Sequence, residues 1–348
     1  MKRLIYLSFA LCLLPCFCVP ACAAELTAPT VPDSAQALMP QEDASFGDGL
    51  LSMFQKLLPS VSNEMRYVLK TGLAVFGCVF LISILQSAGC SSFTAEIAGG
   101  VCISSVLILS SRSLIGLAID TVTQISEYSK LFLPVITAAA SAQGHFTSAT
   151  ALCVGSSVFI SFLSNVLRQV MIPSVNFFIA AAVANCALEE SALKQLKDQM
   201  KKFSSWFLKT VLTIFLTYMS ITGAVSGSAD KAALKATKAA ISTVVPVIGK
   251  TLADASEALL VSADIAKNAI GIYGIYAFLA VFLAPFFRIG IHYLVMKGIA
   301  AVCAVAGNKR LTALVEDFTT AMGLLLAMTG SMCALSIIGT VCFLKGVG

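Results

Sequence analysis

The chain has 348 residues, of which 58% are hydrophobic and 12% charged, with a formal net charge of +5 and a mean hydropathy of +0.90. That balance excludes a soluble globular domain and predicts an all-α protein, a polytopic transmembrane helical bundle with amphipathic or re-entrant segments. Positive charge spread this thinly orients loops against anionic lipid rather than making a nucleic-acid footprint, so membrane lipid is an expected partner and nucleic acid is not.

In chain order, Lys2 and Arg3 precede an apolar run from Leu4 to Val19, and Ala21-Cys22-Ala23 supplies small residues for cleavage. Residues 1–24 are therefore expected to be a signal peptide cut near Ala23 or Ala24. An uncleaved first membrane helix and lipidation at Cys22 are the alternatives, and Pro20 fits the second poorly. Residues 25–49 carry Glu25, Asp33, Glu42, Asp43 and Asp48 without Lys or Arg, and three prolines interrupt them. Residues 25–64 are expected to be an acidic extracytoplasmic arm, largely disordered, with 50–58 lying along the membrane surface. Residues 65–348 are the expected polytopic membrane domain.

Within that domain the first spans are expected at 67–88 and 97–119, the second holding Arg112, which would snorkel to a headgroup. Residues 131–144 are too short for an ordinary span and contain Pro134, which predicts a re-entrant or broken helix. Spans at 148–167 and 169–188, separated by Arg168 alone, predict a tight hairpin. The stretch at 189–205 sets Lys194, Lys197, Lys201 and Lys202 against an apolar stripe of Leu193, Leu196, Met200 and Phe203. An interfacial helix on the cytoplasmic side follows. Further spans are expected at 206–227, 269–287, 289–306 and 320–344. An external start agrees with an internal 189–205 loop only if 131–144 crosses the membrane.

Between them, residues 230–268 are amphipathic. Lys231, Lys235 and Lys238 share one helix face, and beyond Pro246 and Gly249 the charges Lys250, Asp254, Glu257 and Asp264 oppose Ile248, Leu252, Ala255 and Leu259. Proline and glycine predict a hinge there. These charges are too costly to leave in hydrocarbon, so the two helical segments either face a complex interior or partner or form a solvated external loop, and composition alone leaves both open. From Ala269 to Phe287 no residue is charged, and such a helix rises about 28 Å, close to a bilayer core.

Chemical motifs are sparse. Gly249-Lys250-Thr251 ends like a phosphate-binding loop, but Val244 stands where the first glycine belongs. His145 and His292 are far apart, and the cysteines outside the leader are scattered singly through apolar stretches as small hydrophobes. No catalytic, cofactor-binding or metal residues are expected, hence no enzyme and no cofactor. Gly223 and Gly227 form a GxxxG match of the kind that lets membrane helices approach closely. Lys209, Arg288 and Lys297 stand at or inside apolar spans; helix-end snorkelling explains the first two, which leaves Lys297 as the candidate interior charge.

The order of segments is identifiable. LFLPVITAAASAQGHFTSA at 131–149, SSWFLKTVLTIFLTYMSITG at 204–223, Asp230 with Lys238, VPVIG at 245–249, Lys267-Asn268 with Gly271, Pro285, and Lys297 with Ala300-Ala301 together resemble the stage III sporulation protein AE family. The sequence departs from that pattern at Lys209, where glycine is common, at Arg288, where lysine is common, and after Ala306, where a proline-containing turn is expected. The resemblance implies a non-enzymatic integral membrane component of the channel or secretion-like complex joining mother cell and forespore in endospore formation. It further implies a place in the mother-cell membrane around the forespore, with other stage III A proteins and, through them, forespore protein Q as partners. The resemblance at VPVIG and Lys267-Asn268 implies that 230–268 faces a complex interior or partner, and candidate functional residues are then Asp230, Lys238, Pro246, Gly249, Asp254, Lys267, Asn268, Gly271 and Lys297. A stand-alone secondary transporter is the alternative, suggested by apolar segments broken at Pro134 and Pro246.

Overall fold

The computed structural model describes residues 28–40, 46–89, 91–142, 146–188, 191–244, 249–305 and 308–345; at Ser92, Phe146, Ser148, 222–244 and 249–267 it describes the backbone alone. The expected signal peptide lies outside the described residues. The elements are α1 (Asp33–Gln36), α2 (Phe46–Ser87), α3 (Ser92–Ser141), α4 (Phe146–Val166), a π-helical turn (Leu167–Met171), α5 (Ile172–Leu188), α6 (Ser191–Val244), α7 (Gly249–Val305) and α8 (Lys309–Lys345). No strand occurs among the described residues, and five helical stretches are long and apolar enough to cross a membrane: 46–87, 93–141, 149–188, 268–305 and 309–344.

Helix ends follow local chemistry. Gly89, at φ +92°, ends α2 in a left-handed residue that a side chain would strain. The Ser91 hydroxyl caps α3 by accepting from the Thr94 N–H at 3.4 Å, and the Asn308 Oδ1 caps α8 by accepting from the Leu311 N–H at 3.1 Å.

Successive long helices alternate in direction. Gln86 meets Glu96 and Cys78 meets Cys102, so α2 and α3 are antiparallel. Gly100 faces Cys186, which sets α3 against α5, and Phe159 packs on Phe215, which sets α4 against α6. Gly271 faces Leu344 and Cys333 faces Phe278, so α7 and α8 form a second antiparallel pair. α2 runs parallel to α7, with Phe46 on Tyr276 and Phe54 on Phe287. Where α3 crosses α7, Tyr128, Phe132 and Phe278 interlock with centroids 5.2–5.9 Å apart, in contact geometry favourable for aromatic rings. Gly274 lies directly beneath the Phe132 ring, where a Cβ has no room.

Several expected breaks are absent. The hairpin at Arg168 does not form, since the helix continues through it. Pro173 in the first turn of α5 would lose its bond to residue 169 and press its ring on that carbonyl; the π turn widens the backbone, and the Ile172 N–H donates to the Leu167 carbonyl instead. The extra residue also buries Met171 and Ile172 in succession, which joins the Leu163–Leu167 stripe to Val175 and Phe178. Residues 269–287 and 289–306 are likewise one helix, because Glu64 satisfies Arg288 and no turn is needed to release the charge. Nor is 131–144 a separate broken element: α3 runs through an exposed Pro134, held by the burial of Phe132, Leu133 and Ile136 around it.

The N-terminal arm also differs from the free chain expected. Val31, Ala35 and Leu38, at helical spacing, are buried against the bundle, and the Lys56 ammonium donates to the Met39 carbonyl at 2.6 Å. Residues 46–64 already belong to α2. The acidic composition concealed one short apolar face. Similarly, 191–205 is the start of α6 rather than an independent interfacial helix, and its inner face reads Leu193, Lys197, Met200, Ser204, Leu208, Val211 and Phe215, with Lys197 buried while Leu196 and Phe203 face outward.

Candidate functional site

Near the middle of α3, the residues Leu117, Asp120, Thr121 and Gln124 recur at spacings of three and four and so share one face. That face opens on a cavity of about 340 Å³ between α2, α3 and α7, lined also by Ser60, Glu64, Pro285 and Arg288. Arg288 Nε donates to Glu64 Oε1 at 2.9 Å across the cavity. The arm reaches the same place, where the Ser34 hydroxyl donates to Gln124 Oε1 at 2.8 Å, so α1 lies over the cavity as part of its wall. Two carboxylates and one guanidinium line it. The surplus negative charge suits a cation or the basic end of a small solute, held inside helices whose remaining surface is apolar.

The neighbouring face of α3 carries Thr123, Ser126, Glu127 and Lys130, which with Ser161, Ser164, Asn165 and Arg168 of the α4–π segment line a smaller cavity of about 80 Å³. Arg168, which the sequence suggested as a turn, is thus the end of a polar seam between two helices. His292, one turn beyond Arg288, is buried with its Nδ1 2.9 Å from the Arg288 carbonyl oxygen, a partnered interior side chain.

A second polar contact ties the opposite end of the bundle. Lys197 of α6 is paired with Asp317 of α8, and Arg310 Nη1 lies 3.3 Å from Glu96 Oε2 of α3. The side chains of Lys197 and Arg310 are each 8% exposed, so both cations are bound within protein rather than snorkelling.

The residues singled out from sequence are not gathered at either place. Lys297 is exposed on α7, its ammonium 3.3 Å from the Tyr293 hydroxyl and over the Tyr293 ring. Asn268 is exposed at the start of the described side chains of α7. Gly271 is buried with no room for a Cβ against Leu344, a close approach of α7 to α8. Asp230 and Lys238 fall on the helical backbone of α6, and Gly249, Asp254 and Lys267 on that of α7, with side-chain surroundings outside the described residues; Pro246 lies outside them altogether. Lys209 and Arg112 are exposed.

Glu64, Asp120, Gln124 and Asp317 were not singled out from sequence. Their signal was present as polar residues recurring at three and four along otherwise apolar helices, but hydropathy windows average it away.

The chain matches the family described as stage III sporulation protein AE over residues 35–345. It is similar to the stage III sporulation protein AE of Bacillus subtilis (strain 168), at 22% identity over 275 residues covering 76% of this chain and 68% of that protein. No solved structure matches it.

Proposed function

The chain belongs to the stage III sporulation protein AE family and has a role in sporulation, and from that premise we propose that it is a non-enzymatic, multi-pass subunit of a channel or secretion-like complex between mother cell and forespore. In this proposal it sits in the mother-cell membrane around the forespore and assembles with other stage III A proteins and, through them, with forespore protein Q. The 25–64 arm is extracytoplasmic, delivered there by a signal peptide at 1–24. The segment at 230–268, hinged around Pro246–Gly249, faces the complex interior or a partner, and Asp230, Lys238, Asp254 and Lys267 are its contact charges.

The observation that carries the subunit role is an excess of apolar surface over what one bilayer covers. A 50-residue helix such as α3 rises about 75 Å against roughly 30 Å of hydrocarbon. Large apolar side chains are nevertheless exposed toward both ends, with Phe80, Leu81, Ile84 and Phe93 near the α2–α3 turn and Leu131, Val154, Ile214 and Ile221 toward the other end. Lipid covers one set, and protein neighbours cover the rest. The mid-bundle cavity favours a second role, that of a stand-alone secondary transporter, because its volume and charged lining suit a small solute. Purification from sporulating cells separates the two. Stable co-purification with other stage III A proteins is expected; solute uptake by the isolated protein in liposomes, without such partners, would establish the transporter instead.

A further inference from the structure

We propose that the basic cavity between α5, α6 and α8 binds a phosphate-bearing anion, either the headgroup of an acidic phospholipid or a free phosphate ester. The cavity, of about 230 Å³, is lined by Lys194, Lys197, Lys309 and Arg310 against the single carboxylate of Asp317, with Asn185 beside them. Asp317 pairs with Lys197 and Glu96 with Arg310. These contacts hold two deeply buried cations in fixed positions, and Lys194 and Lys309 on the exposed rim add two positive charges beyond them.

Three further features point to phosphate. Lys309 and Arg310 open α8, so the positive end of its backbone dipole adds to the same cavity. A guanidinium beside three ammonium groups matches the several oxygens of a phosphate better than the two of a carboxylate. Leu188, three residues beyond the cavity-lining Asn185, is exposed, and Leu196, Phe203 and Trp206 are exposed on the outward side of α6, away from the cavity. A basic pocket between membrane helices whose outward surfaces are apolar is a setting for a lipid headgroup, with acyl chains running along those surfaces.

The test uses the full-length protein in a neutral detergent, with melting temperature followed against phosphatidylglycerol, phosphatidylcholine, inorganic phosphate and chloride at matched ionic strength. Stabilisation by phosphatidylglycerol beyond phosphatidylcholine is expected, with a concentration-dependent shift. If inorganic phosphate also stabilises and competes with the lipid, the free anion is a ligand too; if it does neither, the lipid is the source. Lys194→Gln combined with Lys309→Gln should weaken the apparent affinity roughly fivefold per lysine, the effect of one basic side chain at an anionic surface. The paired change of both lysines to Arg should retain binding, which separates loss of charge from loss of fold. Lys201→Gln with Lys202→Gln, equal charge removed from α6 outside the cavity, should leave it unchanged. No stabilisation by either phosphate source, or equal weakening by the Lys201 and Lys202 changes, would overturn the assignment.

Discussion

Glu64 and Arg288 are 224 residues apart in the chain and 2.9 Å apart in the bundle. Each would be costly among apolar helices if left alone, since a charge drawn out of water needs a partner to offset the lost hydration. Their side chains are 22% and 44% exposed, so the coupling itself should lie near the value of a partly solvated pair, about 1 kcal/mol. Glu64→Arg or Arg288→Glu sets like charges together and is expected to lower the melting temperature of the purified protein and its abundance in cells. Combining the two restores the attraction and should recover most of the loss. A swap no better than the worse single change would show that the two side chains are neighbours without being partners. Arg288 stood out in the sequence as a charge among apolar residues; its partner did not, because nothing local to either position specifies a contact over such a separation.

At the scale of helices, the connection between α2 and α3 makes a direct test of register. The Cys78 and Cys102 thiols lie 3.6 Å apart, so mild oxidation should join them in an intramolecular disulfide that moves the full-length protein on a non-reducing gel. Replacing Cys102 with Ser should abolish that shift, and persistence of the shift would mean the helices pair differently. A second test concerns the junction of α6 and α7, whose helices stop at Val244 and start at Gly249. Gly249→Leu or Lys267→Leu is expected to leave membrane accumulation normal yet block forespore development after engulfment, whereas Lys231→Gln is tolerated. Normal sporulation of both, or loss of the protein from the membrane, removes the functional role assigned to the segment. The apolar runs expected within 67–188 and 269–344 fall in helices long and apolar enough to cross a membrane, whereas the run at 206–227 is not among those helices, and the joins between runs were misplaced. Pro173 forces a π turn rather than a break, since a continuous buried stripe on both sides rewards keeping the helix intact.

For the whole molecule the open quantity is orientation. Ser34 sits beside Gln124, midway along α3, whereas Ser191 begins α6 at the end of the bundle where α3 also begins. About 24 residues of α3 separate those levels, Gln124 to Gly100 opposite the end of α5, or roughly 36 Å of helix, enough to place them on opposite sides of a bilayer core. Single cysteines at Ser34 and Ser191 in a cysteine-free background should therefore react oppositely with an impermeant thiol reagent in intact cells, Ser34 labelled and Ser191 protected. Equal labelling would remove the assignment of an outside arm and an inside lysine-rich turn.

The sequence alone determined that this is an all-helical protein with helices apolar enough to cross a membrane, and its ordered motifs sufficed to identify the family. Those properties are local: a window of some twenty residues carries its own hydropathy and backbone preference wherever it packs. Only the tertiary structure decided that Arg168 and Arg288 lie within continuous helices, that Lys197 points inward to Asp317, and that Val31, Ala35 and Leu38 fasten the arm to the bundle. Each of those outcomes depends on a partner supplied from a distant segment. A charge ends a helix or stays within it according to whether another element satisfies it there, and that element's position is a property of the assembled bundle.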